Sequence, residues 1–238
     1  MHSTTKLDDY PALLRGFRDA GYAAVGFTDL GAATGQLLLR HDVDFDVAAA
    51  VRMAEWEYAA GMSATYFFLV SSDSYNPYSH DNLARIRRIQ ALGHTVSIHF
   101  DPPLYSDPDA GLAAEKSVFE RLLDTTVNVV SIHRPSPEYL QHDATIAGCP
   151  HTYMKRYCSD IAYLSDSTGT FRFGHPFDSA AFADGRSLQL LIHPIWWTYA
   201  GATPQDKLRA FYHQRTHDLR EHYALNCKPF LEIRHDLA

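Results

Sequence analysis

Apolar residues along the chain gather into short unbroken runs separated by longer stretches of helical spacing. Residues 36–40 carry Leu37, Leu38 and Leu39 in succession, and residues 64–70 read Ala-Thr-Tyr-Phe-Phe-Leu-Val. Residues 95–98, 127–132, 188–192 and 230–233 repeat the pattern. Runs this short and this apolar predict strands buried on both faces, as parallel strands are. Between them, residues 8–20, 48–60, 81–92, 110–123 and 203–225 predict helices. Pro11 falls in the first turn of its helix, and Gly21, Gly61 and Gly93 close three of the five. Past Ser136 the pattern weakens, with a short helix expected over 138–146 and short strands over 161–164 and 171–173. Strands that alternate with helices pair in parallel through right-handed crossovers. No Pro/Gly/Ser linker interrupts them, so one α/β domain over 1–238 is expected, either a barrel or a doubly wound sheet.

The ends of the apolar runs carry the polar chemistry. Leu37–Leu39 leads into Arg40-His41-Asp42-Val43-Asp44, and residues 95–98 into His99-Phe100-Asp101. Residues 127–132 lead into His133-Arg134-Pro135, residues 188–192 into His193-Pro194, and residues 230–233 into Arg234-His235-Asp236. In parallel α/β folds the downstream strand ends share one rim, where sites are built. Asp42, Asp44, His99, His133 and His193 are therefore expected on one face. Asp42 and Asp44 alternate to the same side of an extended chain, and two adjacent carboxylates repel unless a cation separates them or one serves as a base. Aspartate and histidine without cysteine suit a catalytic divalent metal with an open position, zinc first, with cobalt, nickel, iron and manganese as alternatives.

Composition removes several other readings. An apolar share of 46% supports a full core rather than disorder. A net charge of −7 without a basic block argues against a nucleic-acid partner. Three cysteines without a CxxC spacing signal neither a disulfide framework nor a thiolate zinc site. No apolar run approaches the length of a membrane span, and residues 1–10 lack a secretory pattern, so a cytoplasmic location is expected. Oligomeric state is not encoded in any of these features.

The motifs at 40–44 (RHDVD), 93–99 (GHTVSIH), 133–136 (HRPS), 163–167 (YLSDS) and 190–194 (LLIHP), in that order over about two-thirds of the chain, resemble those of the polysaccharide deacetylase superfamily, carbohydrate esterase family 4 with its NodB-homology domain. The resemblance implies a distorted (β/α)7-type barrel with outer helices. It implies that Asp42 is the catalytic base, Asp44 and His99 are metal ligands, Arg134 orients Asp42, Asp166 is the fourth-motif acid, and His193 is the general acid. Two positions depart from the family pattern. Pro103 stands where the second metal histidine would fall, so a third ligand must come from elsewhere, His133 first and Asp101 second. Pro137 stands where a backbone N–H would meet the oxyanion, and proline has none. The implied reaction is metal-assisted hydrolysis of an amide, most simply N-deacetylation of a sugar or sugar-like small molecule or oligosaccharide. The altered second motif keeps two alternatives: cleavage of a non-sugar C–N bond, with or without metal, and a barrel that only binds carbohydrate. Tyr75, Trp196 and Trp197 are expected to stack on the substrate.

Overall fold

The structure, a computed structural model, describes residues 9–237. Residues 1–8, which include the expected helix start at Asp8 and nearly all of the polar N-terminus, lie outside the described residues. The chain divides into two compact units, Met1–Thr198 and Tyr199–Ala238. Every strand falls in the first: β1 (Ala23–Ala24), β2 (Gln36–Val43), β3 (Thr65–Leu69), β4 (Thr95–Phe100), β5 (Ser131–Ile132), β6 (Ala162–Ser165) and β7 (Leu188–Ile192). They pair in parallel in the order β5-β4-β3-β2-β7-β6, and β1 lies against the start of β2. The sheet curls into a half-barrel surrounded by helices, in agreement with the distorted parallel barrel expected from the sequence. The larger helices of this unit are α1 (Tyr10–Asp19), α2 (Val47–Ala60), α3 (His80–Ala91) and α4 (Pro108–Leu123). No described helix is long and apolar enough to cross a membrane.

Central strand β2 shows why the fold forms. Seven of its eight residues, Leu37 to Val43, are buried, so both faces must be covered. Asp46 then caps α2 by accepting from the Ala48 N–H at 2.8 Å, which turns the chain from strand into helix within three residues. Gly61 ends α2 at φ 70°, a left-handed conformation that a side chain would resist.

Several expected elements differ. Residues 230–233 are not a last strand but part of an exposed helix, Lys228–Ile233, in the second unit. Three apolar residues among four carry no period of their own, and Pro229 suits a first helical turn. That unit otherwise holds the long helix Pro204–Asn226, and the Arg234-His235-Asp236 cluster has no strand behind it. The expected strand over 127–132 keeps only Ser131–Ile132, residues 171–173 form a turn, and the helix after Ser136 spans only Pro137–Gln141.

Beneath α2, on the face of β2 opposite Asp42, lies a buried network centred on Glu57. Its carboxylate meets His41 Nε2 at 2.5 Å and accepts from the hydroxyls of Tyr10 at 2.5 Å and Tyr66 at 2.6 Å. His94 Nδ1 lies 3.6 Å away. Burial alone would raise the Glu57 carboxyl, but His41 outweighs it and holds the group below its ordinary 4.5. Burial holds His94 below its ordinary 6.5. Both folded values are depressed, so the unfolded chain takes up protons first as pH falls. Both groups thus contribute stability that is present above the ordinary values and lost on acidification through the folded ones. The melting temperature is expected to drop steeply from about pH 6 to about pH 3. Glu57→Gln, less stable at neutral pH, is expected to show a shallower drop over the same range by calorimetry.

Candidate active site

Alternation along β2 sends Arg40 and Asp42 to the interior of the half-barrel. Arg40, fully buried, donates from Nε to Asp42 Oδ1 at 3.0 Å and from Nη2 to Oδ2 at 2.7 Å. Ser131 on β5 adds a hydroxyl to Oδ2 at 3.0 Å. Burial works against the Asp42 charge, but the Arg40 guanidinium overcomes it and holds the carboxyl well below the usual carboxylate range. Arg40 itself is fixed by Ser131 Oγ, by Gln189 Oε1 on β7 at 3.1 Å, and by the Tyr153 ring, which lies 4.6 Å from the guanidinium carbon. Arg134, expected to orient Asp42, instead pairs with Asp101 at 2.5 Å, and its side chain is 68% exposed. The orienting arginine is thus Arg40, two residues before Asp42 on the same strand face.

At the downstream rim, Asp44 Oδ1 lies 3.2 Å from His99 Nε2 and 3.7 Å from His133 Nδ1, and the two ring nitrogens are 3.0 Å apart. β4 and β5 present these histidines side by side because His99 pairs with Ser131 in register, and His133 follows two residues later. Asp44 Oδ1 is buried without a hydrogen-bond partner, a costly state for a carboxylate oxygen unless a cation meets it. Four-coordinate zinc with bonds of about 2.0–2.1 Å separates its ligand atoms by about 3.4 Å. The observed triangle fits that spacing. Among the described residues, Asp44, His99 and His133 form the group whose ligand atoms converge in this way. Asp101, the second choice for a ligand, is taken by Arg134.

His193 follows β7 and faces the same point, its Nε2 3.9 Å from Asp44 Oδ2. Its Nδ1 lies 2.6 Å from Asp166 Oδ1, and its backbone N–H also donates to that carboxylate. Asp166, fully buried, accepts further from the Trp197 indole N–H at 2.8 Å. Burial opposes charge on His193, but Asp166 prevails and raises its pKa from 6.5 to about 9. An imidazolium therefore lies beside an ionised carboxylate, Asp42, at the ends of the neighbouring strands β7 and β2.

Asp42, Asp44, His99, His133 and His193 line a cavity of about 340 Å³ together with Tyr153, Tyr163, Ser165, Ser167, Thr168 and Trp196. Trp196 lines this cavity, while Tyr75 and Trp197 do not and make other contacts. Tyr75 is buried, its hydroxyl donating to the Val43 carbonyl at 2.6 Å and accepting from the Leu69 N–H at 2.8 Å. Trp197 holds Asp166 and packs its ring 5.2 Å from Tyr10. Two cavity residues, Arg134 at φ 49° and Thr168 at φ 64°, hold left-handed backbone that a side chain resists. Strain of this kind persists where surrounding structure enforces it, as it does at many functional sites. Arg40, Ser131 and Gln189 were legible in principle, since each faces inward by strand alternation. Tyr153 was not, because it arrives on an irregular segment.

No protein-family model matches the chain, and no curated protein matches it. Among solved structures, it is similar to the deacetylase PplD of Streptococcus pyogenes in complex with acetate, at 13% identity, TM-score 0.45 and 85% coverage of both chains. It is similar to the chitin deacetylase of the fungal pathogen Colletotrichum lindemuthianum at 17% identity and TM-score 0.46, covering 76% of this chain and 83% of that one. A family 4 pseudoenzyme from Bacillus anthracis, BA3943, is similar at 13% identity and TM-score 0.40, covering 82% of this chain and 68% of that one.

Proposed function

We propose that this chain is a divalent-metal-dependent hydrolase that removes an acyl group, acetate foremost, from the amide nitrogen of a sugar or sugar-like compound. The observation that carries this reading is the placement of an arginine-held carboxylate and an aspartate-held imidazolium beside the Asp44–His99–His133 triangle. Those three residues would hold the metal, and two nitrogens with one carboxylate oxygen favour zinc. When bound there, the metal supplies Lewis acidity, polarising an acyl oxygen and acidifying water.

The chain's own residues divide the proton transfers. Asp42, kept ionised by Arg40, accepts the proton of the attacking water. His193, kept charged by Asp166, gives its proton to the departing amine. Both states coexist at neutral pH because each group has its own buried partner of opposite charge. Trp196, Tyr153 and Tyr163 offer ring faces, and Ser165, Ser167 and Thr168 offer hydroxyls, a lining that suits one acylated sugar ring.

Protein stripped with a chelator and titrated with zinc tests this reading. About one equivalent per chain is expected by elemental analysis, with binding lost in His99→Ala and His133→Ala. Acetate release from a panel of N-acetylated sugars and nucleotide sugars is expected to follow zinc loading. Protein that binds no zinc, or that binds it equally well without His99, would overturn the assignment.

A further inference from the structure

The hydrolysis proposed above passes through a tetrahedral oxyanion, which needs hydrogen-bond donors aimed at the acyl oxygen. Among the cavity-lining residues, Tyr153 carries a hydroxyl held beside the Asp42 site. The Tyr153 hydroxyl accepts a hydrogen bond from Arg40 Nη2 at 3.2 Å, the nitrogen that also grips Asp42. Its ring lies flat against the guanidinium, 4.6 Å from Cζ, and 6.0 Å from the ring of Tyr163. An oxygen that already accepts from a cation must turn its own proton elsewhere, and Arg40 has only donors. Tyr153 and Tyr163 both line the cavity beside Asp42, Asp44, His99 and His193. Burial pushes the Tyr163 phenol up, so it stays a protonated hydroxyl beside the Tyr153 ring. Donors that feed an oxygen strengthen the bond its own proton makes.

Backbone contacts hold the tyrosine in place. Gln189 Nε2 donates to the Thr152 carbonyl at 3.1 Å and to the Tyr157 carbonyl at 2.8 Å, which clamps the segment on both sides of Tyr153. The Tyr153 N–H donates to His151 Nδ1 at 3.2 Å, and His151 bridges to Val130 just before β5. The hydroxyl is thus set before substrate arrives, which is the condition for electrostatic stabilisation of a developing charge.

We infer that the Tyr153 hydroxyl is a catalytic donor that hydrogen-bonds the acyl oxygen as it becomes the tetrahedral oxyanion. Water oxygen bonds to the acyl carbon, its proton passes to Asp42, and the carbonyl π pair moves onto the acyl oxygen. Collapse returns that pair, breaks the C–N bond, and the amine leaves with the His193 proton. Tyr153 donates a hydrogen bond throughout and transfers no proton. This inference rests on the hydrolase reading.

The test compares zinc-loaded wild type, Tyr153→Phe and Tyr163→Phe on the best N-acetylated sugar of the panel. Phenylalanine keeps the ring against Arg40 and removes only the hydroxyl. For Tyr153→Phe, kcat is expected to fall about 10²–10³-fold with KM changed less than about threefold, as for loss of one oxyanion donor. A phosphonate analogue of the tetrahedral intermediate is expected to lose affinity by a similar factor, a loss that a purely structural hydroxyl would not cause. Tyr163→Phe is expected to lose less, about tenfold or below. A Tyr153→Phe enzyme that keeps its kcat and binds the phosphonate as wild type does would overturn the inference while leaving the hydrolase reading intact. A zinc-loaded wild type that releases no acetate from any member of the panel would overturn both.

Discussion

Arg40→Met is expected to cost about 3–5 kcal/mol of folding stability, the range for removing one partner of a buried ion pair. In a chain of this size that corresponds to a fall in melting temperature of about 10 °C. The loss is large because Arg40 supplies two of the three hydrogen bonds to the buried Asp42 carboxylate. Methionine fills part of the volume but leaves Asp42 charged and poorly solvated, so its pKa climbs. The double variant Arg40→Met/Asp42→Leu is expected to be more stable than Arg40→Met alone, though inactive, because it removes the stranded charge as well as its partner. The pH dependence carries a sign. Folded Asp42 lies below its ordinary 3.8, so the pair contributes stability above that value and loses it as acid protonates the carboxylate. The gap between wild type and Arg40→Met should therefore narrow in acid. Urea denaturation at pH 7 and near pH 4 measures both effects, and a single variant within about 1 kcal/mol of wild type at pH 7 would show that the pair is not the keystone of the site.

What the sequence disclosed about this site follows strand geometry. Asp42, Asp44, His99, His133 and His193 were expected on one rim because each ends an apolar run, and parallel strands bring those ends together. The same alternation puts Arg40 and Ser131 inward, each two residues before a rim residue, Asp42 and His133, on the same face. Arg134 was assigned by position in a motif, but its backbone at φ 49° turns its side chain outward to Asp101. Tyr75 shows a different limit. An aromatic residue in a polar loop looks like a stacking platform, but its hydroxyl satisfies the Val43 carbonyl and the Leu69 N–H at the last residues of β2 and β3. The run at 230–233 is helical rather than the expected strand because four residues carry too little of either period to separate the two. Tyr153 depends on contacts between residues far apart in sequence, Arg40 and Gln189 among them, which no local pattern announces.

Asp166→Asn is expected to shift the His193 titration downward and to slow hydrolysis about 10²–10⁴-fold near pH 8, the range for losing a positioned general acid. Asparagine keeps the shape of the side chain and an oxygen for the Trp197 indole and the His193 backbone N–H, so the fold should tolerate it. It removes the negative charge that overcomes burial. With that charge present, His193 titrates at about 9 rather than 6.5. Without it, only Asp44 and Asp42 are left to oppose burial, so the pKa falls and less of the ring is charged where the wild type is protonated. A raised folded pKa contributes stability that is fully present below the unfolded value and lost as pH rises through the folded one. The wild type should therefore lose its stability advantage over Asp166→Asn between about pH 6.5 and pH 9. Ring-nitrogen NMR of the metal-free proteins reads the titration directly, and thermal melts across the same range read the linkage. If His193 in metal-free Asp166→Asn still titrates near 9, another group holds its charge, and the acid–base division assigned to Asp42 and His193 loses its physical basis.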